Sequence, residues 1–124
     1  MKVLLIEDDP DVSETIISIF KGFFENAEVH HLSDGKDFKK GGWKSGGWSV
    51  VILDLMMPGI TGFEVCEQLR AFPKTKNIPI FALTGYDTTK NEEKIRAAGA
   101  SAYMAKPFEV KNFLLELNKL LKTV

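Results

Sequence analysis

Apolar residues along this chain follow two rhythms. Near-continuous runs (Val3 to Ile6, Val50 to Leu53, Ile78 to Leu83) alternate with stretches in which apolar positions recur every three or four residues. Continuous runs suit strands buried on both faces of a parallel sheet, since a strand with one wet face would alternate polar and apolar. Val12, Ile16, Ile19, Phe20, Phe23 and Phe24 carry the helical spacing. Asp9 is placed to cap that helix, Pro10 to fill its first position and Asn26 to end it, with a second strand from Glu28 to Leu32. Thr61-Gly62-Phe63-Glu64 has the form of a capping box and opens a helix with Phe63, Cys66, Leu69 and Arg70 near one face, stopped before Pro73. Thr89 to Glu92 offers a second such box before a polar helix (Lys90, Glu92, Glu93, Lys94, Arg96) that Gly99 closes. Ala100 to Ala105 predicts a fifth strand, and Val110, Phe113, Leu114, Leu117, Leu120 and Leu121 give the last helix a wide apolar stripe.

Gly35 to Ser49 breaks the pattern. Gly41, Gly42, Gly46 and Gly47 surround Trp43 and Trp48, and each glycine costs a helix roughly 1 kcal/mol relative to alanine. A turn or two of helix near Lys36 to Lys40 and then a loop is the expectation. Five strands alternating with helical segments call for a parallel sheet covered on both faces. Right-handed crossovers reduce the topologies to few, and the natural one is a flavodoxin-like, doubly wound α/β fold with strand order 2-1-3-4-5.

Composition narrows the class. The 124 residues form one expected domain, residues 1–124, with 44% apolar and 27% charged residues and a net charge of −1. No field of one sign points to nucleic acid or membrane. The single cysteine, Cys66, has no CxxC partner and reads as a small core residue. The apolar start is too short for a signal peptide or a span, so a cytoplasmic protein is expected.

The chemistry gathers at the strand ends. In such sheets ligands bind beyond the carboxyl ends of the strands, near the switch point between strands 1 and 3. There the chain ends strand 1 in Glu7-Asp8-Asp9, strand 3 in Asp54, strand 4 in Thr84 and strand 5 in Lys106. Close carboxylates repel, and without a cation their pKa values rise. Oxygen-only donors with few protein ligands suit Mg²⁺, which shares its shell with water and phosphoryl oxygens. A metal, an ammonium and a hydroxyl together neutralise a transferring phosphoryl group, with Asp54 as the nucleophile that forms an acyl phosphate.

VLLIEDDP at the start, ILDLMMPGITGFE in the middle, ALTG and YMAKPF together resemble the receiver domain of two-component response regulators along essentially the full chain. The resemblance implies a stand-alone receiver, of chemotaxis or relay type, that takes a phosphoryl group from a phosphohistidine onto Asp54. It implies Asp8 as a direct ligand of Mg²⁺ (or Mn²⁺), Glu7 acting through water, and the Met56 carbonyl completing the set with Asp54. Lys106 would pair with phosphoryl oxygens and precede a cis proline. Thr84 and Tyr103 match the switch pair, with Gly85 leaving room for an incoming ring from an exposed rotamer. Met56 and Tyr86 match positions that tune the access of water, so a slow loss of phosphate is expected. The implied partners are a histidine kinase or histidine phosphotransfer protein and a downstream protein on the helix 4–strand 5–helix 5 face. Nucleic acid and membrane are not among them, and a monomer or weak dimer is expected. The domain would catalyse its own phosphorylation and dephosphorylation without turning over an external substrate.

Departures and rivals bound this reading. The second helix should be short or distorted, with Trp43 and Trp48 as packing anchors or as an exposed contact surface. His30 and His31 read as structural residues on strand 2, away from the site edge. A haloacid-dehalogenase-like phosphatase would want a second aspartate where Met56 stands. A flavodoxin-like cofactor binder would want a phosphate loop in place of Glu7-Asp8-Asp9. A receiver used only for protein contact, never phosphorylated, is the remaining alternative.

Overall fold

Residues 1–85 and 89–122 are described in the computed structural model. Five parallel strands, β1 (Lys2–Ile6), β2 (Glu28–Leu32), β3 (Val50–Asp54), β4 (Ile80–Thr84) and β5 (Ala102–Ala105), form one sheet in the order β2-β1-β3-β4-β5. Four helices connect them, α1 (Pro10–Phe23), α2 (Gly35–Lys39), α3 (Gly62–Ala71) and α4 (Thr89–Ala98), and α5 (Val110–Lys122) follows β5. This is the doubly wound fold expected from the pattern.

Both faces of the three central strands, β1, β3 and β4, are dry, which is why their sequences do not alternate. Val3, Leu5, Val50, Ile52, Phe81 and Leu83 pack with α1 and α5 residues such as Phe20, Phe113 and Leu117. Their neighbours Leu4, Ile6, Val51, Leu53, Ile80 and Ala82 pack with Phe38, Val65, Leu69 and Ile95 from the helices of the other face. Successive residues of a strand point to opposite faces, so each of these positions must be apolar. Among the described residues, no helix is long and apolar enough to cross a membrane.

Local signals set most boundaries. Asp9 caps α1 through its side chain, which accepts from the Asp11 N–H at 2.9 Å, and Pro10 stands in the first turn. Thr61 caps α3 by accepting from the Glu64 N–H at 3.2 Å. The capping box expected at Thr89 to Glu92 turns on the Thr89 side chain, which lies outside the described residues. Two strands start later than the apolar run suggests. Pro79 lacks an N–H, and its carbonyl accepts from Val51 before β4 begins at Ile80. Ala100 and Ser101 close the turn after α4, so β5 begins at Ala102.

The irregular segment resolves into the five-residue α2 and a 3₁₀ turn, Gly42–Ser45. Gly41, Gly46 and Gly47 have φ of +80°, +74° and +79°, which a side chain would strain. Tryptophans replace the missing helix turns. The Trp43 indole N–H donates to the Phe38 carbonyl, and the Trp48 indole N–H donates to the Trp43 carbonyl, each at 2.9 Å. Trp43 also stacks on Phe38 with centroids 4.8 Å apart and meets Phe72 edge-on. Both indoles are buried, so they are packing anchors and not an exposed contact surface. Trp43→Ala should therefore destabilise the protein by about 3–5 kcal/mol, as truncation of a buried large aromatic does. Urea unfolding followed by far-UV circular dichroism measures this.

Candidate functional site

Parallel pairing brings the strand ends together. Ile6 pairs with Leu53, Asp54 with Leu83, and Thr84 with Ala105. The residues just beyond or at those positions, Glu7, Asp8, Asp54, Thr84 and Lys106, thus share one edge. The Lys106 N–H donates to the Thr84 carbonyl at 2.6 Å, which carries the ladder one residue past β5. The Lys106–Pro107 peptide is cis.

Glu7, Asp8 and Asp54 each offer a carboxylate oxygen, and these oxygens lie within 4.8 Å of one another. Glu7 is 1% exposed and Asp54 4%, whereas Asp8 faces solvent. The Lys106 ammonium stands 3.1 Å from Glu7 Oε2 and 3.4 Å from Asp54 Oδ1. Burial above all, and the Glu7 carboxylate after it, push the Asp54 carboxyl up to about 7, although Lys106 and the Met56 N–H pull it down. Burial works against the Lys106 charge, but the two acids outweigh it and raise its pKa. Hard oxygen donors with an excess of negative charge fit Mg²⁺ or Mn²⁺. Cys66 does not compete as a nucleophile: it is buried in the core, and burial pushes its thiol up to about 11.

The other expected residues fall around this cluster. Thr84 ends β4 fully buried. Tyr103 on β5, opposite Ala82, is half-buried and packs against the core under α3 and α4. A Cβ at Gly85 would meet nothing within 4 Å, so this corner is open. Met56 follows Asp54 by two residues, its N–H donates to Asp54 Oδ1 at 3.3 Å, and its side chain is among the exposed apolar ones at 56%. Tyr86 lies outside the described residues.

The sequence reading missed two supports of the site. His31 is not remote from it: Nε2 lies 2.8 Å from the Glu7 carbonyl, in the role of a donor, and so holds the backbone of the acidic pair. Only the β1–β2 register, with His31 opposite Leu5, could have suggested this. His30 stays away, beside Glu28 and the edge of Trp48. The second support is Gly62. Met56–Met57 and Ile60–Thr61 form a small antiparallel hairpin after Asp54, and it returns the chain so closely that a Cβ on Gly62 would lie 2.6 Å from Leu55 Cα and 2.7 Å from the Asp54 carbonyl. A glycine in the first turn of an otherwise well-capped helix was the available signal.

Comparisons with known proteins agree with this geometry. A family profile described as the response regulator receiver domain matches residues 3–118. The transcriptional regulatory protein YrkP of Bacillus subtilis is 35% identical over 108 residues, 86% of this chain and 43% of YrkP. The DNA-binding dual master transcriptional regulator RpaA of Synechocystis sp. is 32% identical over 125 residues, 98% of this chain and 49% of RpaA. The chain spans about half the length of the curated relatives it matches. Among solved structures, the signal receiver domain of a DNA binding response regulator protein from Colwellia psychrerythraea 34H superposes with a TM-score of 0.89 at 29% identity, covering 98% of both chains.

Two outcomes follow from this geometry. Because the folded-state pKa of Asp54 is raised from 3.8 to about 7, its contribution to stability is fully present below pH 3.8 and is lost as pH rises through 7. In metal-free buffer Asp54→Asn should thus be more stable than the parent by about 1–3 kcal/mol at pH 8, a gain that shrinks toward pH 5, each pKa unit being worth about 1.4 kcal/mol. Urea midpoints in a chelator at the two pH values measure it. Gly62→Ala improves helix propensity by up to about 1 kcal/mol, yet its Cβ meets backbone that cannot step aside. A net loss of about 1–3 kcal/mol, read from the thermal midpoint, is expected.

Proposed function

The chain belongs to the response regulator receiver domain family, and within it we propose that Asp54 accepts a phosphoryl group from a phosphohistidine on a histidine kinase or histidine phosphotransfer protein. The observation that carries this reading is the Lys106 ammonium lodged between Glu7 and Asp54 at one sheet edge. Glu7, Asp8, Asp54 and the Met56 carbonyl would hold Mg²⁺ or Mn²⁺, and the ion, when bound, supplies the charge neutralisation that close carboxylates and an incoming phosphoryl group both need. Ionised Asp54 attacks phosphorus through a carboxylate oxygen. The phosphorus–nitrogen bond of the donor breaks, and the imidazole nitrogen keeps the electron pair. Lys106 exchanges its contact with Asp54 for one with a phosphoryl oxygen, and the Thr84 hydroxyl donates to another.

That donation connects the site to an output face. Drawing Thr84 toward the phosphoryl group vacates space beside β4, and the Tyr103 ring moves further in from its half-buried position. The surface of α4, β5 and α5 then differs between the two states, a population shift driven by a local charge event. A downstream protein reads that face. Met56, with Tyr86, hinders the water that would hydrolyse the acyl phosphate, so the modified state is long-lived. We take these 124 residues as a single domain that turns over no external substrate, exists as a monomer or weak dimer, and does not itself contact nucleic acid. Its relatives include a protein described as DNA-binding.

Incubation with Mg²⁺ and a small phosphodonor such as acetyl phosphate should yield one phosphoryl adduct by intact mass. The adduct should be absent in Asp54→Asn and reduced roughly tenfold or more in Lys106→Met, the scale of a lost charge stabiliser. After donor removal it should persist for minutes. Absence of any adduct while Mg²⁺ demonstrably binds would overturn the phosphoacceptor role and leave a receiver-like interaction module.

A further inference from the structure

β1 and β2 run in register as far as Ile6 and Leu32, and Glu7 lies one residue past that pair. Its N–H still donates to the Leu32 carbonyl at 3.1 Å, as a continuing parallel ladder requires. The next rung of such a ladder would bring the N–H of residue 34 to the Glu7 carbonyl. β2 ends before that, and the residues after it serve α2. The Asp34 side chain caps the helix by accepting from the Asp37 N–H at 2.9 Å, and the Ser33 N–H donates to Asp37 Oδ2 at 3.2 Å. The Glu7 carbonyl is met by a side chain, with His31 Nε2 at 2.8 Å. A carbonyl only accepts, so Nε2 carries the hydrogen, and the contact holds with Nδ1 free or protonated.

With that contact every polar group of Glu7 is engaged. Its carboxylate takes the Lys106 ammonium at 3.1 and 3.2 Å and the Asp9 N–H at 3.2 Å. Asp8 faces solvent, so its place beside Glu7 and Asp54 depends on the backbone that carries it. The Glu7–Asp8 peptide is planar, and fixing the direction of the Glu7 carbonyl therefore fixes the Asp8 N–H and the bond to the Asp8 Cα. A rotation of that plane would swing Asp8 away from its two neighbours and leave the core untouched. Partners that hold a metal-ligating group directly change metal affinity by about 10–100-fold. Here a peptide plane lies between, and the fold-change of one net hydrogen bond, about three- to tenfold, is the expected scale.

We infer that His31 is a positioning residue for the divalent cation: by holding the Glu7 carbonyl it keeps Asp8 with Glu7 and Asp54, and so sets the affinity of the site for Mg²⁺ or Mn²⁺. This rests on the reading of those three acids as an ion site, and adds to it a residue that touches neither the ion nor the phosphoryl group.

Methionine and glutamine have similar length and volume, and only glutamine brings an N–H donor to the place of Nε2. His31 is an exposed residue, and exposed substitutions change stability little, so His31→Met and His31→Gln should both keep a cooperative thermal transition close to that of the parent. Mg²⁺ is titrated into the full chain without a phosphodonor, and its dissociation constant is read from backbone amide shifts in ¹H–¹⁵N spectra. His31→Met should weaken Mg²⁺ by about three- to tenfold, whereas His31→Gln should stay within about twofold of the parent. In chelator, with no ion present, the Asp8 amide cross-peak should be displaced in His31→Met and lie near its parent position in His31→Gln. A folded methionine variant with parent affinity overturns the inference, and so does a glutamine variant as weak as the methionine one. Should the methionine variant lack a cooperative transition, His31→Ala takes its place under the same criteria. A parent chain that binds no Mg²⁺ sinks the ion-site reading and this inference with it, whereas equal binding by parent and His31→Met sinks the role of His31 alone.

Discussion

Three carboxylates and one ammonium share the end of a parallel sheet, and the arrangement of the site depends on how their charges are balanced. Glu7 and Asp54 are almost wholly buried, so water cannot screen them from each other. Lys106, 99 residues along the chain from Glu7, serves both. One cation among three acids leaves a surplus of negative charge, and it shows in Asp54, whose carboxyl is pushed up to about 7 by burial and by Glu7. A site built this way has a standing preference for added positive charge. It also has an ammonium ready to change partners.

The surrounding backbone holds that unfavourable charge arrangement in place. The dry core on both sheet faces fixes the strands, and single contacts fix the loops beyond them. His31 holds the Glu7 carbonyl, the Gly35 N–H holds the Pro58 carbonyl in the loop after Asp54, and the Lys106 N–H holds Thr84. Gly62 lets α3 start directly against the Asp54 carbonyl. These contacts come from elements remote in sequence, so the site keeps its geometry only while the whole sheet is intact.

The short second helix shows how one local departure is absorbed. Losing helix turns over β1 and β2 would expose Leu4 and leave polar backbone without partners. Trp43 and Trp48 cover the former and, through their indole N–H groups, satisfy carbonyls of the latter. The repair is incomplete in volume and leaves a cavity of about 530 Å³ beside the short helix.

Much of this was legible in the residues themselves. Unbroken apolar runs imply strands buried twice, three- and four-residue spacing implies helices, and Asp9-Pro10 and Thr61–Glu64 mark helix starts because capping is chemistry between near neighbours. The alternation of these elements led to the strand order, and the order led to Glu7, Asp8, Asp54, Thr84 and Lys106 at one edge. The reach of His31 to Glu7, the half-buried setting of Tyr103, the collision that makes Gly62 necessary and the choice between packing and exposure for the tryptophans were not legible. Each depends on register or on ångström-scale contact between segments far apart in the chain. Periodicity along a sequence records which face a residue occupies, whereas distances across the sheet are decided only when the segments pack.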